Sequence, residues 1–268
     1  MTLAGRVAAF ALGAAILTAA LAPLLPSAPA MRIDLDRRLA PPAAAPPLGT
    51  DELGRDVGAR LLRGASVSLG VAGAAVLVSA AFGSALGLVA GERGGAWDAA
   101  LGRLVDLVLA FPGLLLAVAL AAVLGPSARN TVIALSAVGW VPYARLARSE
   151  SRRLAAREFV AAARAAGSTR ARLLIVHVLP NVAAPLLVQA TLHLAAAVLA
   201  ESALSFLGLG VPPPAPSWGA MLAGGRTHVL DAPHVVLAPA AAILAVVLGT
   251  NVLGDALVDR LDPARRPA

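Results

Sequence analysis

A chain of 268 residues that is 59% hydrophobic and only 14% charged, with a mean hydropathy of +0.80, is too apolar for a soluble domain, and several of its uncharged runs are long enough to cross a bilayer. The formal net charge of +7 rests on 22 arginines and no lysine, gathered between the apolar runs, which argues for a multi-spanning membrane protein and against nucleic-acid binding. The lack of cysteine excludes disulfides, thiolate metal sites and thiol nucleophiles.

Residues 7–25 are an uncharged apolar run of 19 residues behind Arg6, enough for one span. Ala28-Pro29-Ala30 loosely matches a signal cleavage site, but the run is long for a signal core, so a retained first span is expected, with residues 1–30 as its unit. Residues 31–64 follow as an external loop rich in proline and in both signs of charge. It closes on Gly49-Thr50-Asp51-Glu52-Leu53-Gly54-Arg55-Asp56, which predicts a turn and a short capped helix reaching Arg63. Its carboxylates suit a metal or acid–base site less well than local caps and ion pairs.

Residues 65–90 are the cleanest span, 26 residues without charge, and Gly83, Gly87 and Gly91 clear one face for a neighbouring helix. A polar turn is predicted over 91–103, then a span over 104–124 broken at Phe111-Pro112-Gly113, with Arg103 and Asp106 paired near the interface. Residues 131–144 are too short to cross alone and must borrow the first turns of the next segment, with Trp140 and Tyr143 in the headgroup belt.

That next segment, 145–180, carries eight arginines. At roughly 2.5–3.5 kcal/mol per arginine at a bilayer centre, it must lie in water. Its composition predicts a helix over 152–166, a stop at Gly167, and a second helix capped by Ser168 or Thr169. On the first helix Arg153, Arg157 and Arg164 fall within about 40° of one another, a cationic stripe, with Phe159 and Ala163 on another side. Such a stripe suits anionic headgroups and is compatible with a protein partner as well.

Residues 181–200 cross back, kinked at Pro185; Gln189, Thr191 and His193 are candidates either for lining a pathway or for bonding between helices. A second external loop over 201–231, a last span over 235–253 and a tail over 256–268 complete the chain. Six spans put both termini on the side of the arginine segment, and that side holds fourteen arginines against eight.

Gly167, with Leu179-Pro180 twelve and thirteen residues later in a loop before the penultimate span, resembles the EAA loop of ABC importer permeases. Together with the 49–56 motif, Ala110-Phe111-Pro112, Gly139-Trp140, His177-Val178-Leu179-Pro180-Asn181, Leu204-Ser205-Phe206-Leu207-Gly208-Leu209-Gly210, Pro216-Ser217-Trp218-Gly219, Gly254-Asp255 and Asp262-Pro263, it makes residues 48–263 similar to the second permease subunit of dipeptide, oligopeptide and nickel importers. The resemblance implies an all-α integral membrane protein of about six transmembrane helices with the type I ABC importer permease fold, five of them in a core over 65–255, in a bacterial cytoplasmic membrane. It implies as partners a second homologous permease subunit, two cytoplasmic ABC ATPase subunits and an extracytoplasmic substrate-binding protein, and it implies no cofactor. In this family the loop here formed by Arg153, Arg157, Glu158, Phe159, Ala161, Ala162, Ala163, Arg164, Gly167, Leu179 and Pro180 would couple the ATPase to the spans, its short helix seated as a knob in an ATPase groove. One position departs: six residues before Gly167, where the family carries a glutamate, stands Ala161, with Glu158 one turn earlier.

Other classes are disfavoured by the residues themselves. An intramembrane enzyme needs convergent titratable groups, yet Asp106, His177, His193, Glu201 and Asp255 fall mostly at span ends, and neither HExxH nor GxSxG occurs. A stand-alone channel or secondary transporter would carry charged helices at mid-membrane, and the apolar runs here hold almost no charge. No GxxxxGK[ST] loop is present, so ATP hydrolysis is expected in separate subunits. His177 is expected to be a hydrogen-bonded residue rather than a metal ligand, and a peptide substrate is preferred to nickel on the resemblance alone.

Overall fold

The computed structural model describes Gly13 and residues 28–261; the expected first span over 7–25 and the tail beyond 261 lie outside the described residues. All regular structure among the described residues is helical. Helix α1, Val57–Arg93, starts where the Asp56 carboxylate accepts the backbone N–H groups of Gly58 (2.8 Å) and Ala59 (3.1 Å), and it stops at Gly94, whose φ is +64°. The capped helix expected to end at Arg63 therefore runs on without a break into the first described span. At ~1.5 Å per residue its 37 residues reach about 55 Å, well beyond a ~30 Å hydrocarbon core.

Gly94 and Gly95 both take positive φ and make a turn so tight that α2, Gly95–Leu109, begins at once. The polar turn expected over 91–103 is therefore mostly helix. Helix α3, Gly113–Leu124, leaves α2 at 82°, because Pro112 has no N–H to continue the ladder and pushes Phe111 away from helical geometry. Arg103 and Asp106 both stay exposed, and the ion pair expected between them is absent.

Helix α4, Ala128–Ala155, is capped by Ser127 and carries the short apolar run 131–144 straight into the arginine segment, as its length required. After the short helix α5, Glu158–Ala165, a turn at Arg170–Arg172 and a π-helical stretch at Leu173–Val178 lead into α6, Leu179–Phe206. Pro180 offers no N–H to the preceding turn, and the widened π geometry absorbs that loss. The span expected to end at residue 200 continues to Phe206, which moves Glu201 from a predicted loop into a fully buried helical site. The end is set by Gly208 (φ +78°), with Leu209 N–H donating to the Leu204 carbonyl at 2.9 Å.

Helix α7, Trp218–Gly225, folds the second loop back onto the bundle: Trp218 donates its backbone N–H to Ser68 Oγ (3.1 Å) and its indole N–H to the Leu61 carbonyl (3.0 Å). It joins Val57, Ala65, Ala72, Val198, Val235 and Val246 in one apolar cluster with α1, α6 and α8, His234–Leu261. Among the described residues three helical runs, Val57–Arg93, Arg170–Phe206 and His234–Asp259, are long and apolar enough to cross a membrane alone, and the bent α2–α3 pair passes the same test only if its two halves are taken together as one span. Helix α4 has the length, but its arginine-rich final turns dilute its hydropathy.

The α1–α4 seam fixes the frame. A Cβ built on Gly83, Gly87 or Gly91 would lie 2.2, 2.3 or 2.5 Å from the carbonyl oxygen of Trp140, Ala144 or Arg148. The backbones touch at each fourth residue, as the glycine spacing predicts. Ser136 and Ser151 on α4 add hydrogen bonds to the carbonyls of Ala75 (3.3 Å) and Leu88 (3.1 Å) on α1.

Candidate functional site: the projecting helix and its arginines

Helix α5 stands at the arginine-rich end of the bundle. The single helix expected over 152–166 is in fact broken at Ala156 and Arg157, where Arg157 takes extended geometry (φ −82°, ψ 146°) as the N-cap of α5. Burial explains the break. Leu154 (5% exposed) and Val160 (1% exposed) both enter the interior, yet six positions apart on one straight helix they would point about 120° apart.

The break also dissolves the expected cationic stripe. Arg153 belongs to α4 and meets Glu150 at 2.6 Å, Arg157 stands at the N-cap position of α5 without a capping side-chain bond, and Arg164 turns back to Glu92 at 3.3 Å. What α5 presents outward is Phe159 among alanines, with charged Glu158 and Arg164 at its two ends. Phe159 is 43% exposed, Glu158, Ala161 and Ala162 are exposed, and Ala163 is half-buried. Glu158 in the first turn and Arg164 in the last complement the helix dipole.

Gly167 ends α5 as the sequence predicts. Its φ is +80°, its N–H donates to the Arg164 carbonyl (2.9 Å), and Ser168 N–H donates to the Ala163 carbonyl (3.0 Å). Thr169 then caps the next turn by accepting from Arg172 N–H at 3.3 Å. Leu179 and Pro180 lie exposed at the start of α6, and Asn181 donates to the His177 carbonyl at 2.6 Å. The loop residues named from the sequence thus occupy one end of the molecule, on three successive elements.

Two carboxylates escaped the sequence reading. Glu92, at the end of α1, keeps its side chain only 8% exposed and faces Arg164 (3.3 Å) and Arg170 (4.0 Å). Asp98, on α2, receives Arg148 Nη2 at 2.6 Å and also binds Arg152. Both partners are more than fifty positions away except for the Asp98–Arg148 pair at fifty, so no local pattern connects them. The available signal was topological: the 91–103 segment was placed on the same side as the arginines, and it holds two acids, Glu92 and Asp98.

The three candidate pathway residues of α6, Gln189, Thr191 and His193, do not converge. His193 reaches α4, with Nδ1 3.1 Å from the Tyr143 hydroxyl and its ring against Gly139. Thr191 donates to the Val188 carbonyl at 2.8 Å and packs against Gly254 of α8. Gln189 is half-buried. Positions 191 and 193, about 200° apart on a helix, serve two different helix contacts. Near the first loop, Asp51 binds Arg55 (2.7 Å) and Arg60 (3.2 Å), and its other oxygen accepts the N–H groups of Leu53 and Arg55. It acts there as a turn-stabilising cap and ion-pair centre.

The sequence profile described as "Binding-protein-dependent transport system inner membrane component" matches residues 83–267. The chain is 45% identical over 248 residues, 92% of its length and 82% of the relative's, to the dipeptide transport system permease protein DppC of Alkalihalophilus pseudofirmus. It is 48% identical over 221 residues, 82% and 73% of the two chains, to the di/tripeptide transport system permease protein DppC of Pseudomonas aeruginosa. It is 41% identical over 215 residues, 80% and 71%, to the glutathione transport system permease protein GsiD of Escherichia coli. With a matching profile over most of the chain and relatives covered along most of their length, this all-helical protein belongs to the family of inner-membrane permease components of binding-protein-dependent ABC transport systems.

Proposed function

We propose that the chain is the non-catalytic permease subunit of an ATP-driven importer of di- or oligopeptides. It pairs with a second homologous permease subunit to form the pathway, and two cytoplasmic ATPase subunits and an extracytoplasmic substrate-binding protein complete the assembly. The observation that carries this reading is α5. It is a short helix with one buried side chain, Val160, and an exposed face of Phe159 and alanines, set between two segments that lead straight into spans. A helix so shaped suits a groove on an ATPase subunit, whose closure on ATP would move it as a rigid body and rock the spans between inward- and outward-facing states.

In this reading α5 and both termini are cytoplasmic. Residues 1–30 form a first span, 31–64 an external loop, 65–255 the permease core of five spans and 256–268 the tail. The exposed Leu77, Val78 and Phe82 of α1 and Leu114, Leu115 and Val123 of α3 would meet lipid or the second subunit. Peptides are favoured over nickel because the relatives are named for dipeptide, di/tripeptide and glutathione transport.

A cysteine cross-link tests the reading, and the chain has no cysteine of its own. With Ala162→Cys on α5 and one cysteine in the groove of the cognate ATPase, a disulfide-linked pair is expected in membranes. Silence at Ala162 and at neighbouring exposed positions, with both proteins present, would overturn the docking assignment.

A further inference from the structure

Among the carboxylates at the end of the molecule that carries α5, two stand one on each side of the Gly94 turn, and each faces two arginines. Glu92 meets Arg164 inside α5 at 3.3 Å, and the largely exposed Arg170 beyond the Gly167 turn lies 4.0 Å from it, so one carboxylate faces both arms of the loop. Asp98 holds Arg148 and Arg152, the last turns of α4 before the loop begins. The segments on both sides of α5 are therefore tied to the same corner between α1 and α2.

We propose that this corner is the seat through which displacement of α5 enters the spans, with Glu92 as the positioning residue. The inference rests on α5 being the ATPase-docking helix. Apolar contact alone is a weak linkage here, because Val160 is the one buried residue of α5 and the helix is flanked by two pivots, the break at Ala156 and the glycine turn at 167. A helix free to pivot at both ends would turn in place when pushed. Ion pairs from one largely buried carboxylate to both sides of the glycine turn remove that freedom. Movement then passes into α1, which is locked backbone to backbone against α4 along Gly83, Gly87 and Gly91. Position 161 is alanine, so the carboxylate that Arg164 meets is Glu92 of α1.

The test uses the assembled transporter in proteoliposomes. Spin labels on cysteines placed at the exposed Leu77 of α1 and Leu237 of α8 report the ATP-driven distance change, and the Ala162 cross-link reports docking in the same samples. Glu92→Gln is expected to cut the distance change about twofold or more while the cross-link is kept. Charge reversal by Glu92→Arg is expected to do so more strongly, and adding Arg164→Glu and Arg170→Glu to it should restore the change. A kept cross-link with an undiminished distance change in Glu92→Gln, or with no recovery in the triple variant, overturns the role of Glu92 alone. A wild-type chain that gives no cross-link overturns the docking reading on which it stands.

Discussion

Along the α1–α4 seam, glycines bring carbonyl and backbone into contact every fourth residue, and hydroxyls of α4 bond directly to carbonyls of α1. Around α5 small residues do the reverse: Ala161 and Ala162 are exposed, and the helix is held to the bundle by one buried side chain, Val160, and by the ion pair of Arg164 with Glu92. Small residues thus have two uses in this chain. Facing another helix they lock two spans into a lever, because nothing separates the backbones. Facing outward at a loop they leave a smooth knob that a partner's groove can cover without displacing large side chains. The seam resists deformation, and the knob is left to be moved.

The largest expected effect breaks the seam. Gly87→Leu would drive a side chain into the Ala144 carbonyl, which a Cβ already approaches to 2.3 Å. Overpacking of this kind costs about 3 kcal/mol or more where backbone must move, and folded, monodisperse protein should be lost in detergent gel filtration. Asp98→Ala comes next, since it leaves Arg148 and Arg152 without their shared carboxylate. Removing one partner of a fully buried pair costs ~3–5 kcal/mol; with Arg152 half-exposed, about 2 kcal/mol is expected. A lowered thermal unfolding midpoint, partly recovered in Asp98→Glu, is the check; an unchanged midpoint would show that the clamp is dispensable.

At the knob the comparison predicts lost coupling rather than lost fold. Gly167→Leu forces a side chain into a left-handed turn at φ +80°, at about 1–2 kcal/mol of local strain. Protein yield should hold while transport per ATP hydrolysed falls, and transport at the wild-type level would mean that the turn is no lever. Phe159→Ala removes the largest exposed apolar group of α5. Stability should change by less than about 0.5 kcal/mol, whereas co-purification of the ATPase should weaken about tenfold, as for a truncated interface anchor. Smallest of all is Ala161→Glu. Position 161 is exposed, so stability within about 0.5 kcal/mol of wild type is expected, and assembly measured by ATPase co-purification should survive. Loss of assembly there would mean that the docking surface has been remodelled around alanine.

Much of this protein was legible in the order of its residues. Uncharged runs, the arginine segment, the glycine period on α1 and the break at Phe111-Pro112-Gly113 gave the order of the apolar elements among the described residues, because hydropathy and helix termination act over one or two turns. The turn at Gly167 and the cap at Thr169 were local for the same reason. Only tertiary structure decided where α4 breaks, since that depends on Leu154 and Val160 both finding the interior. It also decided that Arg164 faces Glu92 across 72 positions of sequence rather than joining a stripe, and that Glu201 is enclosed in α6 rather than exposed in a loop. A carboxylate's partner is chosen by which helix ends meet in space, and no periodicity within one helix encodes that meeting.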